Sequence, residues 1–177
     1  MKTLGLFLLT ALIFILQGDM LYDFKSSSKG DWFIVNDGVM GGLSKGKLDF
    51  NEEGHAVFSG TVSLENNGGF TSIRRNMKAA EVDPKKSVQI RLRGDGKRYQ
   101  FRFKEQSSNY YSFIQYFETS GEWETIEIPL SDFYPSFRGR KLDMDNFKGN
   151  QIEEMSFLIA NYKQEIFQLK IDWIKLS

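Results

Sequence analysis

Apolar and polar residues alternate with a period of two along most of the chain beyond residue 19. The alternation is clearest over residues 88–92 and 99–103, which flank the turn sequence Gly-Asp-Gly-Lys at residues 94–97. Each run has one apolar face and one polar, basic face, which is the pattern of two half-buried strands joined as a β-hairpin. The apolar face is expected to point into the core and consists of Val88, Ile90, Leu92, Tyr99, Phe101 and Phe103.

The same alternation predicts further strands. The segments that show it are residues 48–51, 55–58, 111–117, 123–128, 155–159 and 167–173. The first two predict a second hairpin, the next two a third strand pair, and the last two single strands. No amphipathic helix of about ten or more residues is indicated. The sequence therefore predicts an all-β fold, an antiparallel β-sandwich, with a jelly roll as the favoured topology.

The first 18 residues have the pattern of a secretory signal peptide. Lys2 precedes an apolar run at residues 4–16, and a short polar segment follows at residues 17–19. The apolar run is shorter than the ~20 residues that a membrane-spanning helix needs. The pattern therefore favours cleavage near residue 18, with an uncleaved N-terminal anchor or a buried first helix as the alternatives. We expect a signal peptide at residues 1–18, one β-sandwich domain at residues 19–177, and a periplasmic or extracellular location.

Composition narrows the function classes. The chain contains no cysteine, which excludes disulfides and thiolate chemistry. Lys+Arg and Asp+Glu both number 23, and this balance argues against a nucleic-acid partner, because a general nucleic-acid binder needs a basic surface. Equal totals still allow a local basic patch, since opposite charges can be segregated on the surface.

Residues suited to catalysis are scarce. His55 is the only histidine, so Ser-His-Asp chemistry and histidine-based zinc sites lack their usual groups. No spacing among the acids singles out a carboxylate pair for glycoside hydrolysis. Asp172, in the last predicted strand, is a weak candidate calcium ligand, although a salt bridge is the simpler expectation. We therefore predict a protein that is not an enzyme and that needs no cofactor.

The most unusual segment is the glycine-rich sequence Asn-Asp-Gly-Val-Met-Gly-Gly-Leu-Ser-Lys-Gly at residues 36–46. Glycine permits positive φ and close backbone approach, so the segment predicts either a tight corner or a loop that presents N–H groups to a ligand. Residues 41–47 also match Gly-x-x-x-x-Gly-Lys, but residue 48 is leucine where a phosphate-binding loop needs Ser or Thr. We therefore expect no nucleotide site.

Three more turn-rich segments carry polar residues, at residues 66–70, 94–99 and 133–140. Because the loops of a sandwich converge beside strand ends, we expect polar residues from these segments to gather on one side of the fold. The candidate binding residues are Asn36, Asp37, Gly41, Gly42, Asn67, Arg74, Asp95, Arg98 and Arg138.

Two opposite-charge pairs are expected within this cluster. Asp37 would pair with Arg74, and Asp95 with Arg98, because partly desolvated opposite charges stabilise each other. Two interpretations follow. The cluster is either a structural clasp, since buried polar groups need hydrogen-bond partners in any fold, or a site that binds a partner's backbone or the hydroxyls of a sugar.

These motifs also carry a family resemblance that extends from about residue 32 to residue 173. The residues concerned are Trp32, the Asn-Asp-Gly-Val-Met-Gly-Gly sequence at 36–42, Ser44, residues 58–60, residues 67–70, Ser72, Arg74, residues 93–96, Tyr99, Trp123, Pro129, Phe133, Pro135 and residues 138–139. Together they resemble the complex I intermediate-associated protein family, a thirty-kilodalton respiratory-chain assembly factor and its bacterial relatives. The resemblance implies a galactose-binding-like jelly roll and a non-catalytic, chaperone-like role on membrane-complex intermediates.

Two function classes therefore stay open. In the first, the protein is an assembly factor that binds a protein partner outside the cytoplasm. In the second, it is a carbohydrate-binding module that uses the loops or the concave face of the jelly roll. Sugar binding favours exposed aromatic side chains beside polar groups, and Trp32, Tyr110 and Tyr111 are the candidates for that role.

Overall fold

The computed structural model describes residues 19–27 and 29–177, which form two antiparallel β-sheets packed around a shared core. The predicted signal peptide at residues 1–18 lies outside the described residues. The strands are β1 (Met20–Asp23), β2 (Phe33–Asn36), β3 (Lys45–Phe50), β4 (Ala56–Val62), β5 (Thr71–Glu81), β6 (Ser87–Arg93), β7 (Arg98–Lys104), β8 (Ser112–Glu118), β9 (Trp123–Pro129), β10 (Tyr134–Phe137), β11 (Arg140–Lys141), β12 (Gln151–Ile159) and β13 (Glu165–Leu176).

Short 3₁₀ turns lie between some of these strands. They span Lys29–Asp31, Asp37–Met40, Glu65–Asn67 and Leu130–Asp132. No helix long and apolar enough to cross a membrane occurs within residues 19–27 and 29–177. Strands thus build nearly all of the described fold, as the alternation predicts.

The strand order defines the two layers. The first sheet runs β3-β4-β13-β6-β9, and β1 pairs with the C-terminal part of β13. The second sheet runs β11-β10-β8-β7-β12-β5-β2. Every recorded strand pair in both sheets is antiparallel. The predicted antiparallel β-sandwich is therefore confirmed.

The predicted inward faces of β6 and β7 are also confirmed. Each of their six large apolar side chains is exposed by at most 1%. Burying a side chain of this size contributes roughly 1.5–3 kcal/mol. These residues are Val88, Ile90, Leu92, Tyr99, Phe101 and Phe103. The alternating residues point away from the core, so the polar, basic face of β7 lies on the outside of the second sheet.

The pairing of these strands differs from the prediction. β6 lies in the first sheet and β7 in the second, so residues 94–97 cross between the sheets and do not close a hairpin. β8 and β9 are divided in the same way, whereas β3 and β4 form the predicted hairpin. The physical reason is that a strand in either sheet buries one face in the shared core, so both arrangements produce the same alternation.

The two crossings are hydrogen-bonded to each other by Thr119. Its hydroxyl accepts from the backbone N–H groups of Gly96 and Lys97, at 3.1 Å each, and donates to the carbonyl of Lys97 at 2.9 Å. A Cβ on Gly94 would lie 2.3 Å from the Thr119 hydroxyl oxygen, so the backbone at Gly94 approaches more closely than a side chain allows. Thr119 therefore fastens the connection between β8 and β9 to the connection between β6 and β7.

Candidate functional site

A groove lies on the outer face of the second sheet, over β5, β12, β7, β8 and β10. It encloses ≈ 540 Å³, which is within the usual size range of ligand pockets, about 300–1,000 Å³. We call it the outer groove. Its floor includes Arg74, Gln100, Arg102 and Ser136, and its rim includes Asn67, Tyr110, Phe137, Arg138 and Tyr162.

Strand register places the two central arginines of the floor in one row. Ser156 on β12 lies opposite Arg74 on β5 and opposite Arg102 on β7. Neighbouring strands are about 4.8 Å apart, so the two arginine backbones are separated by about 10 Å and their side chains rise on either side of Ser156. The sheet therefore directs two guanidinium groups into the same part of the groove.

Three polar atoms in the floor are buried without a hydrogen-bond partner. They are the Oε1 atom of Gln100, the Nε atom of Arg102 and the Oγ atom of Ser136. Arg102 makes no hydrogen bond or ion pair with the residues that the structure describes. Most buried polar side-chain atoms in proteins have a partner, so three unpaired ones in the floor of one groove are unusual.

The floor is also positively charged. Arg74 donates only to the Ser72 hydroxyl, at 3.4 Å, and none of the recorded ion pairs in residues 19–27 and 29–177 involves Arg74, Arg102 or Arg138. Lys104 differs, since its ammonium lies 3.5 Å from the buried Glu154 carboxylate. Burial, together with the positive charge of Arg74, lowers the pKa of Arg102 to about 10 from 12.5. The chain has no net charge, but its arginines form a local basic patch on the floor of the outer groove.

Aromatic side chains form the rim of the outer groove. Tyr110 and Tyr162 are 65% and 79% exposed. The ring of Tyr110 packs edge-on against Phe137, with 5.3 Å between centroids. The Arg138 guanidinium lies 5.2 Å from the centre of the Phe137 ring. Large apolar rings therefore stand beside the charged floor and are available to a ligand.

The glycine-rich segment at residues 36–46 makes a structural contact at one end of the groove. The buried Asp37 carboxylate accepts hydrogen bonds from the Ser44 hydroxyl at 2.5 Å, the Ser44 N–H at 3.1 Å, the Gly69 N–H at 2.7 Å and the Phe70 N–H at 3.3 Å. We call Asp37, Ser44, Gly69 and Phe70 the Asp37 clasp. It fastens the loop before β3 to the loop before β5.

The protonation of Asp37 follows from this geometry. Burial would raise the pKa of its carboxyl group, but the hydrogen bonds from Ser44, Gly69 and Phe70 favour the charged form and hold the pKa below its usual value. Asp37 is therefore a carboxylate in the folded protein, and its four acceptor bonds leave little capacity for a ligand.

Close packing explains the glycines around this carboxylate. A Cβ on Gly42 would lie 2.3 Å from Cγ of Asp37, and one on Gly68 would lie 2.7 Å from its Oδ2 atom. Gly41 ends the 3₁₀ turn with a φ of 86°, a conformation that favours glycine. Asn36 also stabilises this segment, because its Oδ1 atom accepts a hydrogen bond from the Gly46 N–H at 3.1 Å. The segment therefore forms a tight corner, which is one of the two predicted interpretations.

The structure brings together only some of the nine candidate residues. Asp37, Asn67, Arg74 and Arg138 line the outer groove. Arg98 borders it, since its guanidinium lies 4.6 Å from the centre of the Tyr116 ring, which lines the groove. The remaining candidates near the groove belong to the tight corner and not to the lining; they are Asn36, Gly41 and Gly42.

Asp95 lies elsewhere. It lines a separate depression with Arg93, Gln168 and Lys170, at the crossing from β6 to β7. Its carboxylate accepts from the Tyr99 hydroxyl at 2.8 Å, from the Lys97 ammonium at 2.8 Å and from the Gln168 N–H at 2.9 Å. Asp95 thus fastens this crossing to β13.

The two predicted ion pairs are not formed. Asp37 is bound by Ser44 and backbone N–H groups instead of Arg74, and Asp95 is bound by Lys97 instead of Arg98. The physical reason is that other donors lie closer to both acids. Asp37 has backbone N–H groups and the Ser44 hydroxyl beside it, and Asp95 has the Lys97 ammonium and the Tyr99 hydroxyl. The arginines stand on strands of the second sheet and point over its outer face.

Sequence reasoning missed most of the groove floor. Gln100, Arg102 and Ser136 were not among the candidates, although Gln100 and Arg102 belong to the polar face of β7 that the alternation identified. The signal was an uninterrupted polar set on one strand, Arg98, Gln100, Arg102 and Lys104. Ser136 carried no comparable signal, because only the pairing of β10 with β8 brings it to the groove.

The other candidates from the sequence have structural surroundings. Asp172 forms the expected salt bridge, 3.1 Å from the Lys25 ammonium. Within residues 19–27 and 29–177, no group of three or more His, Cys, Asp or Glu residues is arranged to hold a metal ion. Of the three aromatic candidates for a sugar platform, Tyr110 is exposed at the groove, whereas Trp32 lies in the core and Tyr111 packs against it. The prediction for Trp32 is therefore wrong.

Comparison with known proteins identifies the relationship. The family model described as Complex I intermediate-associated protein 30 matches residues 22–171. A mitochondrial protein of that name from Mus musculus is 23% identical over 182 residues, which cover 89% of this chain and 56% of the relative. The one from Drosophila melanogaster is 23% identical and the match covers 91% of this chain and 63% of the relative. The chain thus spans less than two thirds of these relatives.

Solved structures with the same fold include carbohydrate-binding proteins. A family 11 carbohydrate-binding module from Clostridium thermocellum, in complex with a β-1,3-1,4-mixed-linked tetrasaccharide, has a TM-score of 0.67 at 21% identity. That match covers 89% of this chain and 94% of the module. An exo-β-agarase has a TM-score of 0.55 at 12% identity, covering 90% of this chain and 25% of the agarase. At these identities the likeness shows the fold alone.

Proposed function

The chain belongs to the Complex I intermediate-associated protein 30 family, and we propose that it is a non-catalytic binding module whose outer groove holds a segment of a protein partner. The observation that carries the proposal is the set of unpaired buried polar atoms in the groove floor: Gln100 Oε1, Arg102 Nε and Ser136 Oγ. The partner we envisage is an assembly intermediate of a membrane complex.

Energetics support a bound segment at this floor. A buried polar atom without a partner costs roughly 1–3 kcal/mol. Three of them together therefore destabilise the folded protein when no ligand is bound. The set includes an acceptor on Gln100, a donor on Arg102 and a hydroxyl on Ser136 that can do either. A peptide backbone alternates N–H donors with C=O acceptors and can satisfy all three when these side chains turn toward the groove.

The rim supports a protein partner as well. Tyrosine, phenylalanine and arginine are enriched in protein–protein interfaces, and the rim offers Tyr110, Phe137, Arg138 and Tyr162. Tyr110 and Tyr162 are exposed well beyond what the core requires. Apolar side chains of a bound segment would pack on these rings while its backbone reaches the floor.

Capture by cross-linking from the native envelope fraction tests this proposal. Tyr110→Ala removes an exposed rim ring, and we expect it to lose the proteins that the wild type captures. Ile166→Ala is the matched control, because Ile166 is 76% exposed on β13 of the first sheet and does not line the groove. Equal capture by both variants and the wild type would show that the partner binds elsewhere.

A location outside the cytoplasm is part of the proposal. It is supported by the signal-peptide pattern of residues 1–18. N-terminal sequencing of the protein from its native host is expected to find a chain that starts near Asp19. Recovery of chains that retain Met1 from the cytosol would contradict it.

Carbohydrate binding is the second candidate function. Two observations favour it: aromatic rings of Tyr110 and Phe137 beside a polar floor, and the shared fold with a carbohydrate-binding module. A glycan array distinguishes the two functions. Binding of a neutral oligosaccharide that Tyr110→Ala abolishes would favour this alternative over a protein partner.

A further inference from the structure

The outer groove has an imbalance of charge that its polar atoms alone do not explain. Its lining contains four cationic side chains and one carboxylate, and these are Arg74, Arg102, Lys104, Arg138 and Asp37. The Asp37 carboxylate already accepts hydrogen bonds from Ser44, Gly69 and Phe70. Lys104 already forms an ion pair with Glu154. None of the ion pairs within residues 19–27 and 29–177 involves the three arginines, and the Glu154 carboxylate, which acts electrostatically on Arg102, is already paired with Lys104. The positive charge of the floor is therefore available to an anion.

Arg74 and Arg102 share one row of the sheet within this positively charged lining. They flank Ser156 in register, so nothing larger than a serine hydroxymethyl separates them on the sheet. The positive charge of Arg74 acts on Arg102 and, after burial, contributes to its lowered pKa. Two like charges held near each other, one of them buried with an unpaired Nε atom, are disfavoured unless a negative group comes between them.

We infer that the outer groove binds an acidic segment of a protein partner, with a carboxylate of that segment seated between Arg74 and Arg102. The inference rests on the proposed function, because it names the kind of segment that the groove takes. A guanidinium presents a planar fork of N–H donors that matches the two oxygens of a carboxylate. The backbone next to that carboxylate then lies over Gln100 and Ser136, and its neighbouring side chains pack on the aromatic rim.

The partner's chemistry is tested with a labelled hexaglutamate peptide, and its affinity is measured by fluorescence anisotropy. A glycine–glutamine peptide of equal length is the neutral control. We expect hexaglutamate to bind more tightly than the neutral peptide, and its affinity to fall as salt is added, since exposed ion pairs are screened. Equal affinities for the two peptides would overturn the inference.

Variants locate the site. Arg102→Gln and Arg74→Gln are each expected to weaken hexaglutamate binding about tenfold or more. Arg91→Gln is the matched control, because Arg91 is a partly buried arginine on β6 of the first sheet, beside Trp123. Its affinity should stay unchanged. An equal loss in all three variants would mean that general charge, and not the groove, attracts the peptide, and would overturn the inference. Thermal melts verify folding, and Arg74, which is partly exposed, provides a second variant if Arg102→Gln is poorly folded.

Two competitors separate other sources of an anionic group. Oligogalacturonate offers carboxylates on a sugar, and inorganic phosphate offers a different oxyanion. We expect unlabelled hexaglutamate to displace the labelled peptide at lower concentration than either one. If oligogalacturonate competes better, the groove is an acidic-sugar site, and if phosphate does, it is a phosphate site; either result overturns the inference.

The capture experiment separates this inference from the proposed function. If Arg102→Gln and Tyr110→Ala both lose the captured partner, the inference and the proposed function are both supported. If capture depends on Tyr110 but is unaffected by Arg102→Gln and Arg74→Gln, the acidic-segment inference fails and the proposed function stands. Capture that depends on none of these residues overturns the proposed function and, with it, the inference.

Discussion

The chain itself supplies hydrogen-bond partners to the buried charge of the Asp37 clasp, but not to the one on the floor of the outer groove. The Asp37 carboxylate accepts four hydrogen bonds from groups of its own chain. The Arg102 guanidinium, on the floor of the same groove, has a buried Nε atom with no partner. One charge holds loops together, and the other has an Nε atom with no hydrogen-bond partner among the described residues.

The difference arises from where each residue sits. Asp37 lies in a turn between loops whose backbone N–H groups are not used by a strand ladder, so Gly69 and Phe70 can donate to it. Arg102 lies in the middle of β7, where β12 and β8 take up the backbone hydrogen bonds on both sides. Only side chains or a ligand can then satisfy it, and its neighbours across the sheet are Ser156 and Ile114. The backbone of a loop can therefore satisfy a buried charge, whereas a charge on a central strand depends on side chains.

Removing the clasp's acid is expected to have the largest effect on stability. Asp37→Ala leaves the N–H groups of Gly69, Phe70 and Ser44 without their acceptor, so the free energy of unfolding should fall by roughly 3 kcal/mol or more. Urea denaturation measures it. Asp49→Ala is the control, because Asp49 is an exposed partner of Lys47 and should change stability by less than about 1 kcal/mol. Similar losses in the two variants would contradict a special role for Asp37.

Crowding the clasp should have the next largest effect. Gly42→Ala places a Cβ 2.3 Å from Cγ of Asp37, and overpacking of this kind costs roughly 1–3 kcal/mol. Gly38→Ala is a matched control from the same segment, because a Cβ there meets nothing within 4 Å. Its melting temperature should stay near that of the wild type. Equal shifts in the two variants would mean that loop flexibility, and not packing on Asp37, determines the effect.

The pH dependence of the clasp gives a third prediction. The lowered pKa of Asp37 means that its carboxylate stabilises the fold fully above the unfolded-state pKa, about 3.9, and that this contribution is lost as pH falls through the lower folded-state pKa. The stability difference between wild type and Asp37→Asn should therefore be constant near neutral pH and shrink in acid. Urea denaturation of both proteins at several pH values measures it. A difference that stays constant down to about pH 2 would contradict the assignment.

The alternation of residues predicted which face of each strand points into the core, but not which strands pair with each other. Period two identified the inward faces of β6 and β7 because every strand of a sandwich buries one face, so Ile90 and Phe101 could be placed in the core. It did not distinguish a hairpin from a crossing, because residues 94–97 serve either connection. The partner of each strand depends on contacts far apart in sequence, such as β6 with β13 and β7 with β12.

The candidate site shows the same division. Asp37 stood out because its glycine neighbours are unusual, and that signal proved to be packing around a carboxylate. Arg102 stood out less, because a polar residue on a strand face is ordinary until its neighbours across the sheet are known. Residues such as Ser136 and Tyr162 reach the groove from distant parts of the chain. Local pattern therefore finds structural loops more readily than it finds a groove assembled from several strands.

The smallest expected effect, and the one of opposite sign, concerns the groove floor. Arg102→Met keeps a long, flexible side chain but removes the unpaired buried charge. Since the folded protein no longer has to desolvate that charge or hold it near Arg74, the free energy of unfolding should rise by about 1 kcal/mol.

The control for this last variant is Arg91→Met. Arg91 lies 5.8 Å from the centre of the Trp123 ring and donates to the Trp123 carbonyl at 3.5 Å, so its loss should lower stability by a few tenths of a kcal/mol. Urea denaturation of the two variants beside the wild type measures both signs. If Arg102→Met destabilises the protein by more than Arg91→Met does, Arg102 is held by the fold like Asp37, and the contrast between a clasp and a binding floor disappears. If Arg102→Met gains stability while losing hexaglutamate binding, the Arg102 guanidinium lowers the stability of the fold and is needed to bind the ligand.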